Sequence, residues 1–272
     1  MNRKTRIRKA WHVTISLFML FCAISSAVAK DAGGKRKTTS GKENKTMNAG
    51  NDIMAALSSW GYGYKVKVLV NGVDIGMSGG KSESKRLFHK ESDMAATASP
   101  DMRKRNFILQ NGTNRISVDF TKTSNEKNDY LQVSLEIQEY QAPLFLLHSR
   151  SKPSGKIEKE ITIQNSAPDN FKPAVISDKG EGKAAMVHVS SMSATVTPVL
   201  NGVAGMTLGD MPGSVVLEGV KLGKNEIIIR YKGEPDGDLS FAVVTPEWTK
   251  FLTRKLQDAS EKAETFTFNV SD

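Results

Sequence analysis

The chain has 272 residues, of which 39% are hydrophobic and 25% charged, the composition of a globular protein with one large or two ordinary domains. A formal net charge of +9 points to a nucleic-acid partner until its placement is considered: residues 1–29 carry five basic groups and no acid, and residues 30–50 six basic and two acidic ones. The body from 51 to 272 is therefore formally neutral, which excludes a basic nucleic-acid-binding domain, and the single cysteine excludes a disulfide framework.

Residues 1–29 are the first predicted element. Arg3, Lys4, Arg6, Arg8 and Lys9 precede an apolar run around Ile15 to Ile24, and Ala27-Val28-Ala29 fits the small-x-small rule of a secretory cleavage site. The run is short and broken by Thr14, Ser16, Ser25 and Ser26, which favours a cleaved signal peptide over a membrane anchor. Phe21 is too bulky for the position before a lipoprotein cysteine, so Cys22 is expected to leave with the signal. The mature chain then starts near Lys30 with no disulfide, no thiol nucleophile and no membrane span, in the periplasm or outside the cell. Residues 30–51 are Lys, Gly, Ser, Thr and Asn with little apolar content and are expected to be a disordered basic linker.

A first β-sandwich is predicted over 52–165. Trp60, Tyr62 and Tyr64 alternate with Gly61 and Gly63, which in an extended segment puts three rings on one side, either as a sugar-stacking platform or as packing at the sandwich edge. Asn71-Gly72 supplies the positive φ of a tight hairpin. Arg115, Ser117 and Asp119 alternate with Ile116, Val118 and Phe120, the period of a half-buried strand.

The pattern then recurs. Val68–Val73 matches Pro198–Val203, each followed by a Gly-Met pair, and Gly112–Phe120 matches Gly223–Tyr231. Leu131–Leu135 pairs with Leu239–Val243, and Ile161–Ile163 with Phe266–Phe268. Four blocks in one order predict an all-β chain of two tandem antiparallel β-sandwich domains from an internal duplication, at 52–165 and 184–272. Pro168, Pro173, Gly180 and Gly182 mark 166–183 as a linker, and Pro198, lacking an N–H, is expected at a sheet edge or bulge. In the second copy, Thr245, Pro246 and a stripe of Trp248, Phe251, Leu252, Leu256 and Ala259 predict an inserted amphipathic helix, where the first copy has the shorter Pro143–Leu147.

The copies differ in one long segment. Asn71 and Gly112 are 41 positions apart, Asn201 and Gly223 only 22, so the first copy carries 19 extra residues. The segment Gly80 to Asn106 holds seven basic residues (Lys81, Lys85, Arg86, Lys90, Arg103, Lys104, Arg105) against four acids, and long loops on rigid sandwiches are where binding usually sits.

A strand ending in Asn-Gly, followed by Gly-x-Asn at the head of a later strand, resembles the accessory β-sandwich modules of secreted carbohydrate-active enzymes, of galactose-binding-like or immunoglobulin-like type. Asn71, Gly72, Gly112 and Asn114, and Asn201, Gly202, Gly223 and Asn225, fill those places. The resemblance implies sandwich folds and a binding role, and carries over no ligand-contacting residue.

Catalytic groups are sparse. His89, His148 and His188 show no zinc-ligand spacing, and Gly76–Ser82 fails as a phosphate loop because Ile75 stands where the motif needs Gly. Glu234, Asp236 and Asp238 suit calcium or a plain Asp-Gly hairpin; Met186 and His188, with Met192, suit copper or a plain core. The sequence therefore reads as an exported, non-catalytic binding or adaptor protein of the bacterial envelope, with no cofactor and no metal, whose partner is an envelope protein or a polysaccharide. A carbohydrate-binding module pair and a periplasmic enzyme with a fold-assembled carboxylate site are the alternatives. The candidate binding residues are Trp60, Tyr62, Tyr64, Lys85, Arg86, His89, Arg103, Lys104 and Arg105.

Overall fold

Among the described residues, alternation of apolar and polar residues builds nineteen strands into four sheets. The structure, a computed structural model, describes residues 53–138, 140–164, 167, 171–190, 194–209 and 212–271; the expected signal peptide and basic linker lie outside the described residues. In the first half, β1 (Met54–Tyr62), β4 (Glu83–His89), β5 (Phe107–Leu109), β7 (Tyr130–Ile137), β8 (Phe145–Ser149), β10 (Ala174–Ser177) and β11 (Gly180–Glu181) form one sheet in the order β11-β10-β8-β7-β1-β4-β5. Facing it, β2 (Tyr64–Val70), β3 (Val73–Asp74), β6 (Gly112–Lys122) and β9 (Ser154–Ile163) form a sheet in the order β3-β2-β6-β9. Leu57, Leu87, Val133 and Phe145 of the first sheet and Val68, Ile116, Val118 and Ile163 of the second share one buried core.

The second half repeats this order. β12 (Ala184–Val189), β15 (Gly213–Glu218), β17 (Asp238–Val244) and β18 (Thr249–Lys255) run β15-β12-β17-β18, the counterpart of β4-β1-β7-β8. β13 (Ala194–Leu200), β14 (Val203–Ala204), β16 (Gly223–Gly233) and β19 (Lys262–Val270) run β14-β13-β16-β19, the counterpart of β3-β2-β6-β9. The strand pairs are antiparallel except β4 with β5 and β8 with β10. Pro198 lies in β13, not at the sheet edge, but its carbonyl accepts from Gly205 on the side where β14 has already ended, so its missing N–H interrupts no ladder.

The Asn-Gly and Gly-x-Asn signals belong to one device, built twice. Asn71 and Asn201 stand at φ 51° and 50° in their turns. Asn71 donates to Ile108 O and Asn114 Oδ1 and accepts from Arg115 N–H; Asn201 donates to Gly219 O and Asn225 Oδ1 and accepts from Glu226 N–H. Asn114 and Asn225, both buried, close the loops before their strands by bonds to Gln110 and Gly112, and to Lys221 and Gly223. Paired side-chain amides thus replace the backbone partners these loops lack.

Two expected elements are replaced. The stripe from Trp248 to Leu256 is not an inserted helix but β18, paired along its length with β17. Thr245 does cap a chain reversal, accepting from Trp248 N–H and donating to Trp248 O, but the reversal is a hairpin turn. The expected linker 166–183 contains β10 and β11, because Val175 and Ile176 are apolar enough to extend the first sheet beside β8.

The described residues form one compact unit. Ala185, Val187, Leu239, Phe241 and Val243 point into the second half's own core. Their alternates Ala184, Met186, Ala242 and Val244 join the first half's core cluster, where Phe171 stacks on Phe251 at 5.5 Å. The centre of that sheet, at β12 and β17, is therefore buried on both faces.

Candidate functional site

The long segment of the first half is folded, and it is smaller than the charge pattern suggests. β4 has a counterpart in β15, so residues 83–89 are scaffold. The chain departs after His89 and rejoins the shared fold at Ile108, whose carbonyl Asn71 holds as Asn201 holds that of Gly219. The excursion runs through a 3₁₀ turn (Asp93–Thr97) and a helix, α1 (Pro100–Asn106), into β5, which pairs parallel with the end of β4. Ser92 accepts from Met94 N–H and Ser99 from Met102 N–H as N-caps, Pro100 opens α1, and Asp101 near its start and Arg103, Lys104 and Arg105 near its end match the helix dipole. β5 is anchored by buried Leu109 and by Phe107, which stacks on Phe88 at 4.9 Å.

No residue of α1 is buried. Arg103 donates to the carbonyls of Ala96 and Ala98, Arg105 pairs with Asp101 at 3.3 Å, and Met94 and Met102 are exposed beside them. Arg86 is exposed on β4 and its carbonyl accepts from Asn106, whereas Lys85 is half-buried. His89 is not part of the basic surface: it is buried, and its Nδ1 accepts from Glu91 N–H to start the excursion.

The three-ring platform reduces to two rings. Trp60 and Tyr62 share the outer face of β1, but Gly63 at φ +70° turns the chain, and Tyr64 begins β2 in the other sheet. A Cβ at Gly63 would stand 2.4 Å from the Asp129 carboxyl, so the turn requires glycine. Tyr64 is core, packed on Phe120, with its hydroxyl 3.5 Å from Ser149 Oγ. Tyr62 stays 60% exposed.

Between the halves lies a cavity of about 390 Å³, lined by Tyr140, Leu144, Phe171, Val175, Ala184 and Val244, with Glu160 and Glu181 at its rim. A carboxylate enzyme needs two converging acids. Glu181 is held by Lys159 at 2.6 Å, and Glu160 follows Lys159 in β9 and so points to the opposite face of the strand. Among the described residues no group of three or more His, Cys, Asp or Glu could hold a metal. Asp236 sits at φ 63° in the β17 approach, and Gly237 N–H donates to Glu234 O, as in a plain hairpin. Met186 is fully buried between the halves and His188 Nδ1 lies 2.9 Å from Ser214 Oγ, while Met192 lies outside the described residues. Among the described residues no helix is long and apolar enough to cross a membrane. No family model, curated protein or solved structure matches the chain.

Proposed function

We propose that the protein is an exported, non-catalytic adaptor of the bacterial envelope, that its halves arose by duplication, and that the excursion of the first half is its contact with an anionic partner. The observation that carries this reading is α1, a helix with no buried residue that displays Arg103, Lys104 and Arg105 on one half only. A helix that contributes nothing to the core is free to serve a surface, and its cations supply a sequence-tolerant attraction in an otherwise neutral body. The exposed methionines beside it add adaptable apolar contact.

The test is affinity capture of an envelope extract on the mature protein, whose N-terminus is expected at Lys30, with the variant Arg103→Glu/Lys104→Glu/Arg105→Glu alongside. Charge reversal suits this surface better than deletion, because removing β5 would uncover Phe88. The expected outcome is a partner captured by the native chain, released as the Debye length falls below about 10 Å, and not captured by the variant. Equal capture by both proteins would refute the assignment of the surface.

A further inference from the structure

We infer that the outer face of β1, β7 and β8 is a second binding site, for an acidic, hydroxyl-rich glycan chain. The site lies on the same half as α1 but does not rest on the adaptor reading. Trp60 pairs with Gln132, and Gln132 with His148, so these three form a row across three neighbouring strands. Tyr62 pairs with Tyr130 in the next row, and Arg150, one residue beyond β8, continues it. The six positions cover a patch about 10 Å across the strands and 7 Å along them.

The composition of this face is what a sugar chain needs. The rings of Tyr62 and Tyr130 meet edge to face at 5.9 Å, and with Trp60 they offer flat surfaces to the apolar faces of sugar rings. Gly61 keeps the strand flush between them, since a Cβ there would meet Tyr130 O at 2.7 Å. Gln132, His148 and the two phenols offer hydrogen bonds around the rings, a few placed polar groups on a mostly aromatic surface.

A second, independent observation points to a ligand. His148 is 92% buried by its 8% exposure, and its Nδ1 has no hydrogen-bond partner among the described residues. Burial, helped by Arg150, pushes its pKa down to about 4, so at neutral pH the ring can donate and accept. The exposed Arg150 guanidinium has no carboxylate within ion-pairing distance among the described residues; one oxygen of the Asp178 carboxylate accepts from the N–H groups of Arg150 and Ser151 instead. A guanidinium with no ion pair of its own at one corner of an aromatic face is complementary to a uronate or sulfate group.

The second half supplies a control within the molecule. Ser190 N–H donates to Ser240 O, and Ser240 pairs with Thr253, so the row equivalent to Trp60, Gln132 and His148 is Ser190, Ser240 and Thr253. Asp238 stands opposite Lys255 where the first half has Tyr130 and Arg150. The same scaffold is stable with short hydroxyl side chains here, so the scaffold itself does not require the aromatic set.

The experiment is affinity electrophoresis of the mature protein through gels containing polygalacturonate, alginate, heparin or neutral dextran, with Tyr62→Ala, Arg150→Gln and the α1 charge-reversal variant. The proposal expects retardation by at least one acidic polymer and not by dextran, a loss of about tenfold in affinity with either Tyr62→Ala or Arg150→Gln, and retardation unchanged in the α1 variant. Tyr62 is exposed, so its variant keeps the native melting temperature, which is measured in parallel. Lack of retardation by every acidic polymer overturns the proposal, as does equal retardation by dextran. It also fails if Tyr62→Ala binds like the native chain, or if only the α1 variant loses binding, which would assign the anion attraction to the adaptor surface instead.

Discussion

Asn114 makes four hydrogen bonds from a buried position, and its loss removes the partner of one Asn71 amide hydrogen, of the Gln110 N–H and of the carbonyls of Gln110 and Gly112. Asn114→Ala is therefore expected to cost about 3 kcal/mol in chemical denaturation, and Asn225→Ala a similar amount, because the network is the same. A cost below that of an ordinary surface substitution would show that water replaces the amide. The histidines make stability depend on pH. Burial holds His188 at about 4, as it does His148, against an ordinary 6.5. Between those values the unfolded chain takes up protons that the folded chain does not, so stability is complete above pH 6.5 and falls as pH drops towards 4. The loss is at most about 3 kcal/mol per histidine. Asp178 acts in a lower window: burial raises its carboxyl, but bonds from Ser149, Ser151 and Arg150 outweigh this and hold it at about 2, so its contribution is lost only below about pH 3.8. Melting temperature followed from pH 7.5 to 4.5 should fall, and His188→Gln should flatten the slope; a flat native profile would contradict the burial of neutral histidines.

At the scale of elements, the sequence was legible where one face of a strand is wet and illegible where both faces are buried. Arg115 to Phe120 alternates because β6 has solvent on one side, and its period was read directly. In β18, Phe251 packs towards the first half's core and Leu252 towards the second half's, so adjacent apolar residues imitate a helical stripe. The run Phe145–Leu147 in β8 is buried throughout for the same reason. Thr245 carried a correct local signal, an oxygen that takes up Trp248 N–H, but cap and hairpin turn use the same chemistry. Thr245→Ala is expected to destabilise by about 1–2 kcal/mol without loss of helical circular dichroism, a combination that the helical reading could not give. The glycan face was half legible: Trp60 and Tyr62 adjoin in sequence, whereas Gln132, His148 and Arg150 reach them only through the register of β7 and β8.

At the scale of the molecule, the halves are not beads on a string, because residues 171–183 carry strands and β12 and β17 of the second half send alternate side chains into both cores. Met186 shows this most directly. It sits on β12, turned away from its own half's core, fully buried, in the cluster that contains Phe145 and Val175 of the first half. Truncating it removes contacts at the junction and at no solvent surface, so Met186→Ala is expected to cost about 2–5 kcal/mol, the range for a buried methionine whose surroundings cannot collapse. The location of that loss is the informative quantity. If the shared core couples the halves, the variant lowers the stability of both together, and calorimetry gives one transition whose van't Hoff and calorimetric enthalpies agree. Separate transitions for the halves of the native protein, with Met186→Ala moving only one of them, would show that the junction is too weak to couple them and that each sandwich folds on its own core.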